Sequence, residues 1–265
     1  MEPDRPGVRP PGAPPGPSLD PSLPPPALPD PAFPGPPLPP KPRWRPIPWL
    51  ITLILPFVVF GFTAARLARA LGYSTPVSDI SAQELFVRSL LVDVPLIVGT
   101  LFLARWLLHA RPADLGLGRP RVAYFRYGLI FGFGLFLASI AIGLVQAAAV
   151  GKEQQAIAQA LLGHRGLEAL VLDIVAVAVL TPIAEELLFR GVFFGGVRQR
   201  VPFIPAAVAT TAIFTLVHEP QAWPGVFVLG FGLALAYERT RSLWAPIAAH
   251  ATVNGLPLVL LATAG

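Results

Sequence analysis

Seven apolar stretches, at about 49–68, 85–108, 127–150, 167–189, 201–218, 224–238 and 244–263, fill most of the chain beyond residue 48 and restrict its fold more than any other feature. Most approach the ~20 residues a helix needs to cross a bilayer, and the sixth is short. Hydrocarbon offers no water to backbone amides and carbonyls, so each run is expected to close its hydrogen bonds internally, as a helix. Composition agrees: 54% of residues are apolar and 13% charged, where a soluble domain carries roughly 25% charged residues. An ordinary soluble globular domain is excluded. The expected fold is all-α, a polytopic membrane helical bundle of about seven spans over residues 49–265.

The first 48 residues hold 21 of the 33 prolines. Proline lacks an amide donor and pushes its predecessor into extended conformations, so residues 1–48 are expected to form a disordered, Pro-rich arm. Pro36, Pro39 and Lys41 fit the P-x-x-P-x-basic pattern of adaptor-domain ligands. So proline-rich a segment meets that pattern by chance, and a tail is the simpler reading. No apolar run follows the first charges, so the first span is expected to serve as its own targeting signal. Cysteine is absent, which removes disulfides, thiol nucleophiles and cysteine-based zinc sites.

A net charge of +5 does not mark a nucleic-acid binder, because the basic residues lie between apolar runs rather than in a patch with interleaved aromatics. They read as topology determinants of a chain whose expected partner is the lipid bilayer. Lys41, Arg43 and Arg45 precede the first run, Arg105 to Arg126 separate the second and third, Arg198 and Arg200 follow the fourth, and Arg239 and Arg241 follow the sixth. With Arg190 and the arginines of the arm, 15 of the 20 Lys and Arg share one side, leaving Arg66, Arg69, Arg88, Lys152 and Arg165 opposite. The N-terminus is therefore expected in the cytoplasm. The 18 Arg against 2 Lys point to GC-rich coding, so a bacterial plasma membrane is the expected location.

Ionisable groups within hydrocarbon are costly and mark sites or pathways. Those here are Asp93, Asp173, Glu185, Glu186, Arg190, His218 and His250, with Asn254 beside them. Within Thr181-Pro-Ile-Ala-Glu-Glu-Leu-Leu-Phe-Arg190, Glu186 and Arg190 are four apart and can pair on one helix face, while Glu185 is turned away. One carboxylate can be anchored while its neighbour works as a base. The plain alternative is an ion pair that orders a helix end.

Phe214 and His218 are also four apart, just ahead of Pro220. His218-Glu219 begins like H-E-x-x-H, but residue 222 is Ala, so this is not a zincin. His250 and Asn254 share one face of the last run, where the plain alternative is an interhelical hydrogen bond. His109 and His164 fall in loops. Measured from Arg200 and Arg241 at ~1.5 Å per residue, Glu186, His218 and His250 lie about 21, 27 and 14 Å deep. Tilt and the prolines at 182, 202, 205 and 246 can absorb that spread.

The ordered set Glu185-Glu186-x-x-x-Arg190, Phe214-x-x-x-His218 and His250-x-x-x-Asn254 resembles the three-motif signature of the CPBP intramembrane protease family, which contains the type II CAAX prenyl endopeptidases. The framing sequences Pro-Ile-Ala-Glu-Glu-Leu-Leu-Phe-Arg-Gly and Ser-Leu-Trp-Ala-Pro-Ile-Ala-Ala-His are similar to the family as well. The likeness covers roughly residues 170–255, within a core expected at about 167–263. Seven runs stand where family members often have eight.

The resemblance implies an endopeptidase that hydrolyses a peptide bond in a membrane-associated protein or peptide. Glu185, with His218, would deprotonate a water, and His250 and Asn254 would donate hydrogen bonds to the oxyanion. Glu186 and Arg190 would hold the helix and tune the charge. A variant of the same reading has Glu185, His218 and His250 hold a divalent metal such as Zn2+, the other variant needing no cofactor. The family name does not make a prenylated substrate this chain's own.

Two other classes stand beside it: a catalytically idle membrane scaffold that regulates a partner protein, and a transporter. The transporter is motivated by Asp93, Asp173 and glycines such as those in Phe131-Gly-Phe-Gly134. It calls for inverted repeats, and the halves of the chain show no internal similarity. Neither G-x-S-x-G nor a Gly-x-Gly-Asp context occurs, which sets serine and aspartyl types aside.

Overall fold

The computed structural model describes residues 44–150 and 156–264. The expected arm up to residue 43 lies outside the described residues. Every apolar run is a helix: α1 Pro46–Ala70, α2 Ala82–Leu107, α3 Val122–Val150, α5 Gly166–Val197, α6 Phe203–Leu216, α7 Trp223–Thr240 and α8 Trp244–Ala264. An additional helix, α4 Ala156–Gly163, precedes α5. Its eight residues span only about 12 Å, too little to cross a bilayer. No strand occurs among the described residues. The chain is an all-α integral membrane protein.

Four helices, α2, α3, α5 and α8, are long and apolar enough to cross a membrane. Pro46–Val59 and Phe203–Leu216 are shorter apolar stretches. By length and composition four of the seven runs are thus candidate spans, while α1 has 25 residues, α6 14 and α7 18. The first three residues of α1 fall inside the stretch read as arm. Its first turn tolerates Pro46 and Pro48 because the first N–H groups of a helix have no intrahelical partner. Trp44, just before it, is buried.

Local chemistry sets the helix ends. Ser81 caps α2 by accepting the Glu84 N–H at 3.2 Å, while Glu84 in the first turn and Arg105 in the last suit the helix dipole. α3 lies against α8 through bare backbone, since a Cβ on Gly132 would fall 2.6 Å from the Ala249 carbonyl oxygen and one on Gly128 would overlap that of Ala245. Small residues permit such close approach between membrane helices. The packing fixes the α8 backbone directly beside His250.

The basic connections gather at one end of the bundle, as the charge count requires. The loop after α2 receives hydrogen bonds from Leu243 N–H to Gly116 O at 2.9 Å, Trp244 Nε1 to Gly118 O at 2.8 Å and the Tyr237 hydroxyl to Leu115 O at 3.2 Å. The core is densest nearby, where Phe194, Tyr237, Leu187 and Leu243 are fully buried. At the other end, His164 ties the start of α5 to Ile80 ahead of α2.

α5 is a composite. π-helical turns at Ile174–Leu180 and Leu187–Phe194 flank an α-helical turn, Thr181–Glu186, that carries both glutamates. Such π segments are uncommon and concentrate at functional sites. Proline supplies a reason for the first. The Thr181 N–H reaches back five residues to Ala176 O; the next donor in that register would belong to residue 182, which is proline and has none.

Candidate active site

Glu186 is completely buried near the middle of α5, and its Oε1 accepts a hydrogen bond from Arg190 Nη1 at 2.8 Å. The i, i+4 spacing pairs them as the sequence leads one to expect. Arg190, itself 2% exposed, donates from Nη2 to Gly230 O on α7 at 3.0 Å and lies over the Phe214 ring of α6 at 4.5 Å. One guanidinium thus joins three helices. Gly230 is required there, because a Cβ would fall 2.9 Å from Thr211 and 3.0 Å from Phe214.

From α8, His250 brings its Nδ1 to 3.0 Å from the same Glu186 Oε1. That contact leaves Nε2 directed to Glu185, 3.8 Å from Oε2. The two glutamates differ as the sequence implied: the Glu186 side chain is wholly enclosed, whereas that of Glu185 is 22% exposed. Glu186 Oε2 has no hydrogen-bond partner among the described residues. Glu186 and His250 thus meet although the depths read from sequence differ.

His218 stands at the end of α6, half-buried. Its Nδ1 is 2.7 Å from Phe214 O, which makes that nitrogen the donor and leaves Nε2 unspent. The Phe214 ring lies between the two histidines, 4.7 Å from the His218 ring and 6.4 Å from that of His250. Asn254 reaches from α8 to α5, where its Nδ2 donates to Val177 O at 2.9 Å. Val177 lies five residues before Pro182, so the asparagine supplies the donor that proline withholds from the π register.

Glu185, Glu186, Arg190 and His250 therefore meet, His218 joins them through Phe214, and Asn254 supports the helix that carries them. Glu185, His218 and His250, the set considered for zinc, do not form one donor set. Among the described residues no three His, Cys, Asp or Glu side chains gather to hold a metal ion. A wholly apolar groove of about 340 Å³ lies alongside, lined by Leu53 and Phe57 of α1, Leu188 and Phe189 of α5, and Ile213 of α6. Its Phe189 packs on Phe214 at 4.9 Å.

Several contacts could not be read from sequence. Asp93 accepts from the Thr181 hydroxyl at 2.9 Å, one helical turn before Glu185. Asp173 holds His164, which is no loop bystander: its Nδ1 lies 2.9 Å from Asp173 Oδ2 and its Nε2 2.8 Å from Ile80 O. The Gly230 carbonyl left no trace in the residue pattern. Pro182 was the available signal for Asn254, since a proline in mid-helix frees a carbonyl that something must satisfy.

An all-helical membrane bundle closed around a buried Glu-Arg-His cluster defines a class of intramembrane site, and comparison places it. Residues 167–256 match the family described as Rce1-like type II CAAX prenyl endopeptidases. YdiL of Bacillus subtilis (strain 168), a membrane protein assigned as a peptidase, is 30% identical over 95 residues, 36% of this chain and 39% of the relative. The membrane-embedded CAAX protease MroQ of Staphylococcus aureus (strain USA300) is 33% identical over 90 residues, 31% of this chain and 36% of that protein. In both, the shared segment spans less than two fifths of the relative's length. No solved structure matches the chain.

Proposed function

We propose that the protein is an intramembrane endopeptidase that hydrolyses a peptide bond in a membrane-associated protein or peptide. The observation that carries this reading is the placement of His250 between two unlike carboxylates, 3.0 Å from the buried Glu186 and 3.8 Å from the accessible Glu185. A gap of that length between polar atoms suits a bridging water. Glu185 takes a proton from this water as its oxygen attacks the carbonyl carbon, then returns it to the amide nitrogen as the C–N bond breaks.

Glu186 fixes the His250 ring with Nε2 facing Glu185, where it can orient the reacting groups, and the Nε2 of His218, left as an acceptor by the Nδ1 contact to Phe214 O, assists Glu185 in taking the proton of the water. Arg190 compensates the buried Glu186 and ties α5 to α6 and α7. Asn254 acts through Val177, having one N–H already engaged there. No step passes through a metal, since the residues present do not assemble a donor set. The apolar groove beside Phe189 suits the apolar part of a membrane-bound substrate. The two bacterial relatives and the grouping of basic loops at one end support a bacterial plasma membrane with that end in the cytoplasm.

N-terminal proteomics of native membranes holding wild type or Glu185→Gln tests the proposal. New protein N-termini should appear only with wild type and cluster at membrane-facing segments. Identical sets of ends at equal expression would refute it and favour an idle scaffold.

A further inference from the structure

Trp49 lies on α1, outside the family-matched segment, yet it touches the helix that carries the glutamates. Its indole Nε1 donates to Val192 O at 2.8 Å, across 143 residues of sequence. Val192 belongs to the second π segment of α5, the one that opens directly after Glu186 and contains Arg190. At the Gly195 junction, where π pairing gives way to α, backbone N–H groups bond Arg190 O, Val192 O and Phe193 O. The indole is thus an extra donor at the turn where the helix changes register.

The surroundings hold the indole in place. A Cβ on Gly196 would overlap the Trp49 ring, so the helix presents bare backbone at the contact. The Phe193 ring lies 6.1 Å from that of Trp49. Two residues ahead of α1, Trp44 is 2% exposed, with its ring 3.9 Å from where a Gly195 Cβ would be. The Trp44 N–H donates to Gln199 Oε1 at 2.8 Å, and Arg200 donates to the Trp44 carbonyl. Entry to α1 is therefore clamped to the end of α5 just ahead of the indole contact.

We propose that Trp49 is a positioning residue for the Glu186–Arg190–His250 cluster, acting through the Val192 carbonyl. α-Helical and π-helical pairing of residues 187–194 compete, and they place Arg190 differently relative to Glu186. A side-chain donor at Val192 favours the pairing seen here. Asn254 does the same at Val177 on the far flank, so the turn bearing both glutamates is held at each end by a side chain from another helix. Only the kinetic part of this proposal rests on the protease reading.

The test uses the full chain with 15N-labelled histidine in lipid nanodiscs, where four histidines give four assignable signals. Trp49→Phe keeps a ring and removes the N–H. It should shift the His250 signal, identified by His250→Ala, and leave that of His164 unmoved, because His164 sits beyond the other π segment. On a peptide that wild type cleaves, kcat should fall about fivefold at unchanged KM, the worth of one neutral hydrogen bond. If Trp49→Phe fails to fold, an isosteric benzothienyl side chain at position 49 removes the donor alone. An unmoved His250 signal in a folded variant overturns the proposal whether or not the protein proves to be a protease. A moved signal with no cleavage by wild type upholds the proposal and counts against the protease.

Discussion

α5 carries two buried histidine–carboxylate contacts of nearly equal length, 2.9 Å between His164 and Asp173 and 3.0 Å between His250 and Glu186. Side-chain exposures are 9% and 4% in the first pair, 4% and 0% in the second. What differs is how completely the polar atoms are used. Both Asp173 oxygens lie within 3.0 Å of His164 Nδ1, and Nε2 is taken by Ile80 O. In the second pair, Nε2 stops 3.8 Å short of Glu185, Glu186 Oε2 has no partner, and Glu185 stays open. A satisfied buried pair fixes structure; a partly satisfied one retains the capacity to bind and react.

The strongest way to break this contrast is to change the open member. Glu185→Gln should lower cleavage by roughly 10²–10⁴-fold, the usual share of general acid–base catalysis, with thermal unfolding in micelles unchanged because Glu185 makes no hydrogen bond that holds the bundle. Turnover near wild type would place the chemistry elsewhere. Arg190→Ala comes next. It strands Glu186 in the interior, and removing one partner of a buried ion pair costs about 3–5 kcal/mol. Chemical unfolding in micelles should register that loss; a change below about 1 kcal/mol would mean that solvent already reaches Glu186.

Asp173→Asn attacks the satisfied pair. It weakens a charge-assisted hydrogen bond and should cost about 1–3 kcal/mol of stability while turnover stays within about twofold. Loss of cleavage in a stable Asp173→Asn protein would erase the distinction between the two contacts.

How far sequence reached follows the same division. The apolar runs announced all seven long helices, because helix formation in hydrocarbon is forced locally by backbone hydrogen bonding. Span number was less legible, since length alone does not sort the runs: α1 has 25 residues and α7 has 18, against 21 for α8. Glu186–Arg190 was visible because an i, i+4 pair is local. Meeting His250 depends on helix offset set by Gly128 and Gly132 of α3, which no spacing within α5 or α8 encodes. Asp93 and Asp173 stood out as buried acids, but their partners Thr181 and His164 were hidden by distance along the chain and by the reading of residue 164 as loop. The π turns, and with them the roles of Asn254 and Trp49, were legible only as a proline in an improbable place.

The smallest effect is expected where charges pair near the surface. Glu238 accepts from Arg198 at 2.9 Å and from Arg241 at 2.7 Å, and those arginine side chains are 29% and 36% exposed. It has two basic partners, as Glu186 has Arg190 and His250, so partner number alone would predict similar losses. Partial solvation predicts otherwise: Glu238→Gln should cost less than about 1 kcal/mol, and added salt should reduce even that. Measured beside Arg190→Ala, this variant separates burial from charge count as the source of the cluster's stability. A loss as large as that of Arg190→Ala would show that ion pairs anywhere in this bundle carry equal weight, and enclosure would no longer distinguish the site.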